Sequence, residues 1–307
     1  MTEVRVPATS ANMGAGFDTM GIALGIYNNI SVCETENGLK IYNRNTSEYI
    51  PTNENNLIYK AVMRVFDEVG YSARGLRIVQ DSSIPMTRGL GSSSACIVGG
   101  LLSANAISGH KLPYEKLLEL AVEMEGHPDN VVPAFYGGFC ISLRDGQKTH
   151  FKSFKISPHL KYAVMVPDFY VQTRKSRELL PESVPMQDAA HNISRAVWFA
   201  TNMITGNFDK LAVGVDDRIH QPYRKESVDG MDEIFEKSYE LGSKATFLSG
   251  SGPTIVSVLD DRYYDFSREM NCFFENRQNK WRCTIVGIDN VGAVVKTVNF
   301  NDKSQMI

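Results

Sequence analysis

Apolar and polar positions along the chain switch between a period of two and a period near 3.6, and the switches mark the predicted elements. Alternation in Glu3-Val4-Arg5-Val6-Pro7 predicts a short strand over 3–7. Ile26 to Cys33 and Leu39 to Tyr42 flank Glu36-Asn37-Gly38, a turn signal, which predicts a β-hairpin. A helical stripe runs from Leu57 through Phe66, preceded by the capping cluster Asn53-Glu54-Asn55-Asn56 and stopped by Gly70. A strand over 76–84, a small-residue helix over 95–108 and a helix begun by Pro113 follow. Further strands are predicted over 137–143, 162–166, 254–258, 282–288 and 293–300, with helices over 188–205, 228–241 and 261–275. Strands and helices intermix without strict alternation, so the fold class is α+β. Charge rises and periodicity lapses near 152–158, which predicts two domains, 1–155 and 156–307. Residues 301–307 are expected to be mobile.

Composition narrows the setting. The 307 residues suffice for two domains, and 43% hydrophobic with 22% charged residues is a soluble globular balance. A net charge of -3 gives no reason to expect a nucleic-acid or anionic-membrane partner. No apolar run approaches the ~20 residues that span a bilayer. Met1 to Pro7 carries no apolar signal-peptide core. Cys33, Cys96, Cys140, Cys272 and Cys283 form no CxxC pair, so reduced thiols in a cytoplasmic protein are expected, without structural zinc.

The candidate chemistry centres on Pro85-Met86-Thr87-Arg88-Gly89-Leu90-Gly91-Ser92-Ser93-Ser94-Ala95, between a predicted strand and a predicted helix. Glycines let backbone N–H groups approach an anion, and a helix N-terminus adds unpaired donors and partial positive charge. The loop fits neither GxxxxGK[ST] nor GxGxxG, so a plain Ser-capped helix is an equal alternative at this point. Asn12 and Asp18 sit in a small-residue turn and read either as turn residues or as its functional tips. Glu125 at a helix C-terminus is unfavourable unless a cation sits nearby. His127, Asp129 and Asn130 follow within five residues, and a basic cluster, Arg174-Lys175-Ser176-Arg177, lies downstream. Ser249-Gly250-Ser251-Gly252-Pro253 is a second Gly/Ser turn.

Three segments, PATSANMGAGFD at 7–18, PMTRGLGSSSA at 85–95 and FLSGSGPT at 247–254, resemble the GHMP small-molecule kinases. The resemblance implies an N-terminal α+β domain like domain 2 of ribosomal protein S5, a ferredoxin-like C-terminal domain and an active site between them. It implies γ-phosphoryl transfer from ATP, with Mg²⁺, to the side-chain hydroxyl of a small amino acid. The glycine loop 85–95 would hold the phosphates, and Asn56 would contact the nucleoside. Glu125 and Ser92 would hold Mg²⁺. Arg177, beyond Thr173, and Arg224, in QPYR, would hold the substrate carboxylate. Asn12 and Asp18 would take its ammonium and hydroxyl, and His127 and Asn130 would line the same pocket. Asn12, Asp18 and Asn130 form the expected catalytic group. Many family members place an Asp where Asn130 stands, and an amide cannot take a proton, so no firm general base follows. Asp18 is the nearest carboxylate, Asp129 a weaker candidate, and His127 would need an orienting partner. The expected assembly is a homodimer. Three other readings stay open: a mevalonate-like or sugar kinase of the same superfamily, an inactive ligand-binding member, and a dinucleotide-binding oxidoreductase, which would need the missing GxGxxG.

Overall fold

A computed structural model describes residues 1–44, 49–260, 263–275 and 277–297. The segment 301–307, expected to be mobile, lies outside the described residues. Two sheets organise the chain. The first contains β1 (Thr2–Ala11), β2 (Met20–Glu34), β3 (Gly38–Asn43), β4 (Gly75–Ser82), β5 (Phe139–Asp145), β6 (Lys148–Phe154) and, from the far end of the chain, β11 (Val294–Thr297). Its order is β11-β1-β2-β4-β3, with β5 pairing β2 and β6. Its helices are α1 (Leu57–Val69), α2 (Ser92–Ile107), α3 (Tyr114–Glu125) and α4 (Pro128–Tyr136).

The second sheet has the order β10-β7-β9-β8, from β7 (Lys161–Pro167), β8 (Ala245–Leu248), β9 (Ile255–Leu259) and β10 (Trp281–Gly287). All its pairs are antiparallel. Between β7 and β8 lie α5 (Thr173–Glu178), α6 (Met186–Thr205), α7 (Leu211–Gly214), α8 (Gln221–Arg224) and α9 (Met231–Glu240). α10 (Tyr263–Glu275) precedes β10. This is the ferredoxin-like strand order that the family resemblance implies.

The hydrophobic pattern explains how the halves join. Along β7, Tyr162 and Val164 belong to the large core of the first sheet, while Ala163 and Met165 belong to a smaller core with Phe266, Met270 and Trp281. Successive strand residues point to opposite faces, so β7 is buried on both. No helix among the described residues is long and apolar enough to cross a membrane.

The structure corrects several expectations. β2 and β3 do not form a hairpin: β4 lies between them, antiparallel to β2 and parallel to β3. The Asn37-Gly38 turn marks a strand end, but α1 crosses over and delivers β4, whose alternating Leu76, Ile78, Gln80 and Ser82 are buried, into the central position. β1 extends through Ala11, so Pro7-Ala8-Thr9-Ser10-Ala11 is strand; the register shift between Pro7 and Ala8 disguises it. α4 and β6 went unforeseen. Pro128 occupies the first turn of α4, where proline lacks no needed N–H.

Candidate active site

β1 ends in a turn that only unusual backbone angles can form. Asn12, Met13 and Asp18 have φ of 68, 50 and 53°. Asn and Asp tolerate this left-handed region better than most residues. The Asn12 side chain then locks the turn: its Nδ2 donates to the Gly250 carbonyl at 3.0 Å, and its Oδ1 accepts from the Asp18 N–H at 3.0 Å. The N–H of Gly250 donates to the Ala11 carbonyl at 3.1 Å. Two of the three sequence motifs thus meet through backbone and one amide.

The glycine loop is fixed against both. Thr9 N–H donates to the Leu90 carbonyl at 3.1 Å, and Ser249 Oγ donates to the Gly89 carbonyl at 2.5 Å. A Cβ on Gly89 would lie 2.2 Å from the Ser249 carbonyl oxygen. Gly91, at φ 66°, is the N-cap residue of α2, and no side chain caps that helix. The Ser-capped alternative is therefore wrong. The first-turn N–H groups have no intrahelical partner, and Ser92 and Ser93 line a cavity of about 280 Å³.

That cavity gathers most of the expected residues: Met86 through Ser93 of the loop, Asn12, Asp18, Asn56, Glu125, His127, Asn130, Arg177 and Arg224 all line it. Pro85 does not line it, and Ser94 and Ala95, in the first turn of α2, are buried away from it. Thr173 opens α5, and its side chain lies outside the described part of the structure. Asn56 caps α1: its Oδ1 accepts from Ile58 and Tyr59 N–H, and its Nδ2 donates to the Pro51 carbonyl. Its amide is therefore engaged by the protein. The hydroxyl that meets Glu125 belongs to Ser93, at 2.8 Å, rather than to Ser92.

Charges are arranged in two groups. Arg177 pairs with Asp18. α5 is held nearby because the buried Ser176 Oγ donates to the Ser251 carbonyl at 3.0 Å. Arg224 is 3% exposed, and burial first of all pulls its guanidinium down to about 10, against the opposing charge of Asp18. Its Nη1 donates to the Gly250 carbonyl at 2.9 Å and to His220 Nδ1 at 3.2 Å, and its Nε has no partner among the described residues. In the second group, His127 Nδ1 lies 2.9 Å from Asp129 Oδ1, and Asp129 is 2% exposed. Burial draws the His127 pKa down, but the hydrogen bond and charge of Asp129, with Glu125 and Asp18, raise it overall. Asp129 is the orienting partner that sequence reasoning lacked. Asn130 Oδ1 accepts from Thr9 Oγ1 at 2.7 Å.

Gly250, Ser251, Gln80 and Cys96 also line the cavity without having been expected as site residues. Only the first two carried a local signal, the Gly/Ser turn. A two-sheet α+β fold whose glycine loop and uncapped helix face a cleft with two arginines defines the class: a protein with an anion-binding cleft.

The sequence matches the description "GHMP kinases N terminal domain" over residues 56–138 and "GHMP kinases C terminal" over 199–276. It is 44% identical over 300 residues to a homoserine kinase of Caldicellulosiruptor saccharolyticus, covering 97% of each chain. It is 43% identical over 296 residues to a homoserine kinase of Clostridium beijerinckii, covering 96% of this chain and 98% of that one. The crystal structure of homoserine kinase from Cytophaga hutchinsonii superposes with a TM-score of 0.85 at 24% identity, over 96% of this chain and 97% of that one, a likeness of fold. The chain belongs to the GHMP kinases and, within them, to the homoserine kinase family.

Proposed function

We propose that this chain transfers the γ-phosphoryl group of ATP to the side-chain hydroxyl of L-homoserine, giving O-phospho-L-homoserine and ADP in threonine biosynthesis. One observation carries the reading. A single cavity is lined both by the uncapped N-terminus of α2 and by buried Arg224, whose Nε lacks a partner. A buried cationic N–H without an acceptor is costly, and a substrate carboxylate supplies the acceptor.

The residues take the following roles. The glycine loop and the first turn of α2 bind the ATP phosphates through backbone donors and the helix dipole. Tyr49, Ile50 and Pro51, beside Asn56, offer an apolar wall for the nucleoside. Arg177 and Arg224 hold the substrate carboxylate. Asp18, already accepting from Arg177, suits the ammonium, and Asn12 holds Asp18 in place. Asn130 and His127 border the reacting hydroxyl. The hydroxyl oxygen bonds to the γ-phosphorus, and the bond to the bridging oxygen breaks as ADP leaves. Positioning and charge neutralisation carry most of such a transfer. With His127 Nδ1 held by Asp129, we assign its Nε2 as the acceptor of the hydroxyl proton.

Glu125 and the hydroxyls of Ser92 and Ser93 form a hard-oxygen set with a single carboxylate, which fits Mg²⁺ held largely by phosphates. When bound, the ion neutralises phosphate charge. The division at 155/156 falls in the connector between β6 and β7, and we take it as the domain boundary, with β11 as the strand that crosses back. A cytoplasmic location fits the five free thiols. Met186, Ile193, Val197 and Ile204 are exposed at helical spacing on α6, which supports a homodimer. Light scattering against the 34.2 kDa monomer tests this.

The function is tested by ADP release with homoserine, threonine, serine and mevalonate side by side, with and without Mg²⁺. Homoserine is the expected best substrate. Turnover of mevalonate with none of homoserine would overturn the assignment.

A further inference from the structure

His220 is fully buried and belongs to none of the groups assigned above, yet it touches two of them, the 12–18 turn and Arg224. Its Nε2 lies 2.8 Å from the Gly14 carbonyl oxygen. A carbonyl only accepts, so Nε2 carries the proton and Nδ1 carries the lone pair. That lone pair lies 3.2 Å from Arg224 Nη1, which donates to it. The ring also stacks on Phe17, with centroids 5.3 Å apart. Phe17 in turn lies beneath both arginines, 5.6 Å from the Arg177 guanidinium carbon and 5.5 Å from that of Arg224. The backbone of His220 is fixed as well, its N–H donating to Asp217 Oδ2 at 3.0 Å.

The consequence falls on Arg224. Its Nη1 is occupied twice by protein, by His220 Nδ1 and the Gly250 carbonyl. Its remaining edge, Nε with Nη2, makes no hydrogen bond among the described residues, and Nε is buried. A planar guanidinium offers two parallel N–H groups along that edge, the geometry that grips a carboxylate in a bidentate pair. Rotation of the guanidinium would present a different edge. The acceptor at His220 Nδ1 prevents it, and burial keeps the imidazole neutral by lowering its pKa.

We infer that His220 is a positioning residue for acceptor recognition: its unprotonated Nδ1 turns Arg224 so that the Nε/Nη2 edge faces the substrate carboxylate. It also ties that arginine to the 12–18 turn through Gly14 and Phe17. The inference rests on the homoserine kinase reading of this cavity.

Two substitutions separate this role from simple packing. Asn places an oxygen near the position of Nδ1, so His220→Asn keeps an acceptor for Arg224 and loses the bond to Gly14. Gln places its amide near Nε2, so His220→Gln keeps the bond to Gly14 and loses the acceptor. Steady-state kinetics on each variant, with melting temperature as a folding control, gives the readout. In His220→Gln the KM for homoserine rises roughly 10- to 100-fold, while the KM for ATP and kcat stay within about threefold. In His220→Asn the KM for homoserine stays within about threefold of wild type. A folded His220→Asn as impaired for homoserine as His220→Gln, or homoserine and ATP KM values moving together in either variant, overturns the inference. If only one variant folds, its own expected KM pattern decides. Wild-type protein that fails to phosphorylate homoserine refutes the functional reading instead, and is seen before any variant is made.

Discussion

Replacing Gly91 by alanine tests the physical basis of the nucleotide loop. Gly91 sits at φ 66° and caps α2 without a side chain. A Cβ there would lie 1.9 Å from Thr9 Oγ1 and 3.2 Å from Asn130 Oδ1. The left-handed backbone costs an L-residue about 1–2 kcal/mol. Because 1.9 Å is impossible, Thr9 must rotate and give up its 2.7 Å bond to Asn130. Losing that bond costs about 1 kcal/mol, and more with Asn130 left unpaired. The total is roughly 2–4 kcal/mol, or roughly 3–6 °C in melting temperature for a chain of this length. The first turn of α2 moves with it, so the KM for ATP rises at least about tenfold. Thr9→Ala removes the clashing oxygen. The double substitution is therefore expected to be less destabilised than the sum of the singles by about 1 kcal/mol. Thermal unfolding of the four proteins closes the cycle, and ADP-release kinetics follows the nucleotide. Strict additivity, or a folded Gly91→Ala with wild-type ATP KM, would refute the reasoning.

Three further outcomes are expected. Arg224→Ala raises the KM for homoserine by about 2–5 kcal/mol equivalent, and the more exposed Arg177→Ala by less, with ATP KM unchanged; equal losses for both substrates would sink the assignment. The raised His127 pKa makes kcat/KM climb with pH through that value if the neutral ring accepts the proton, and Asp129→Asn, which removes a raising influence, moves the climb to lower pH; an acid limb unmoved by this substitution excludes His127. Ser93→Ala increases the Mg²⁺ concentration for half-maximal activity more than Ser92→Ala does, because Ser93 holds Glu125; the reverse order would return the metal role to Ser92.

Local signals made much of this site readable from sequence, and long-range pairing concealed the rest. The glycine loop, the 7–18 segment and the second Gly/Ser turn stand out because their backbone needs glycine or small residues. Asn56, Gly70 and Pro113 mark helix ends by capping chemistry, and each sits at an end in the structure. The placement of β4 between β2 and β3 depends on which strand buries best beside β2, which no turn residue announces. Asp129 was visible two residues from His127, but its role as the partner of that ring depends on α4, which the periodicity did not announce. His220 carried no signal, since its neighbours Gly14 and Phe17 are some 200 residues away in the chain.

β1 lies between β2 and β11, with Thr2 opposite Thr297. β1 therefore completes its pairing with a strand made almost 300 residues after it. During synthesis, β1 can dock on β2 early, but its outer edge keeps unpaired N–H and C=O groups, open to other chains, until residues 294–297 emerge. The Asn12 bond to Gly250 waits nearly as long. The phosphate loop and the 7–18 segment can thus meet early, through Thr9 and Leu90, whereas the bonds of both to residues 249–250 form only once that segment has been made.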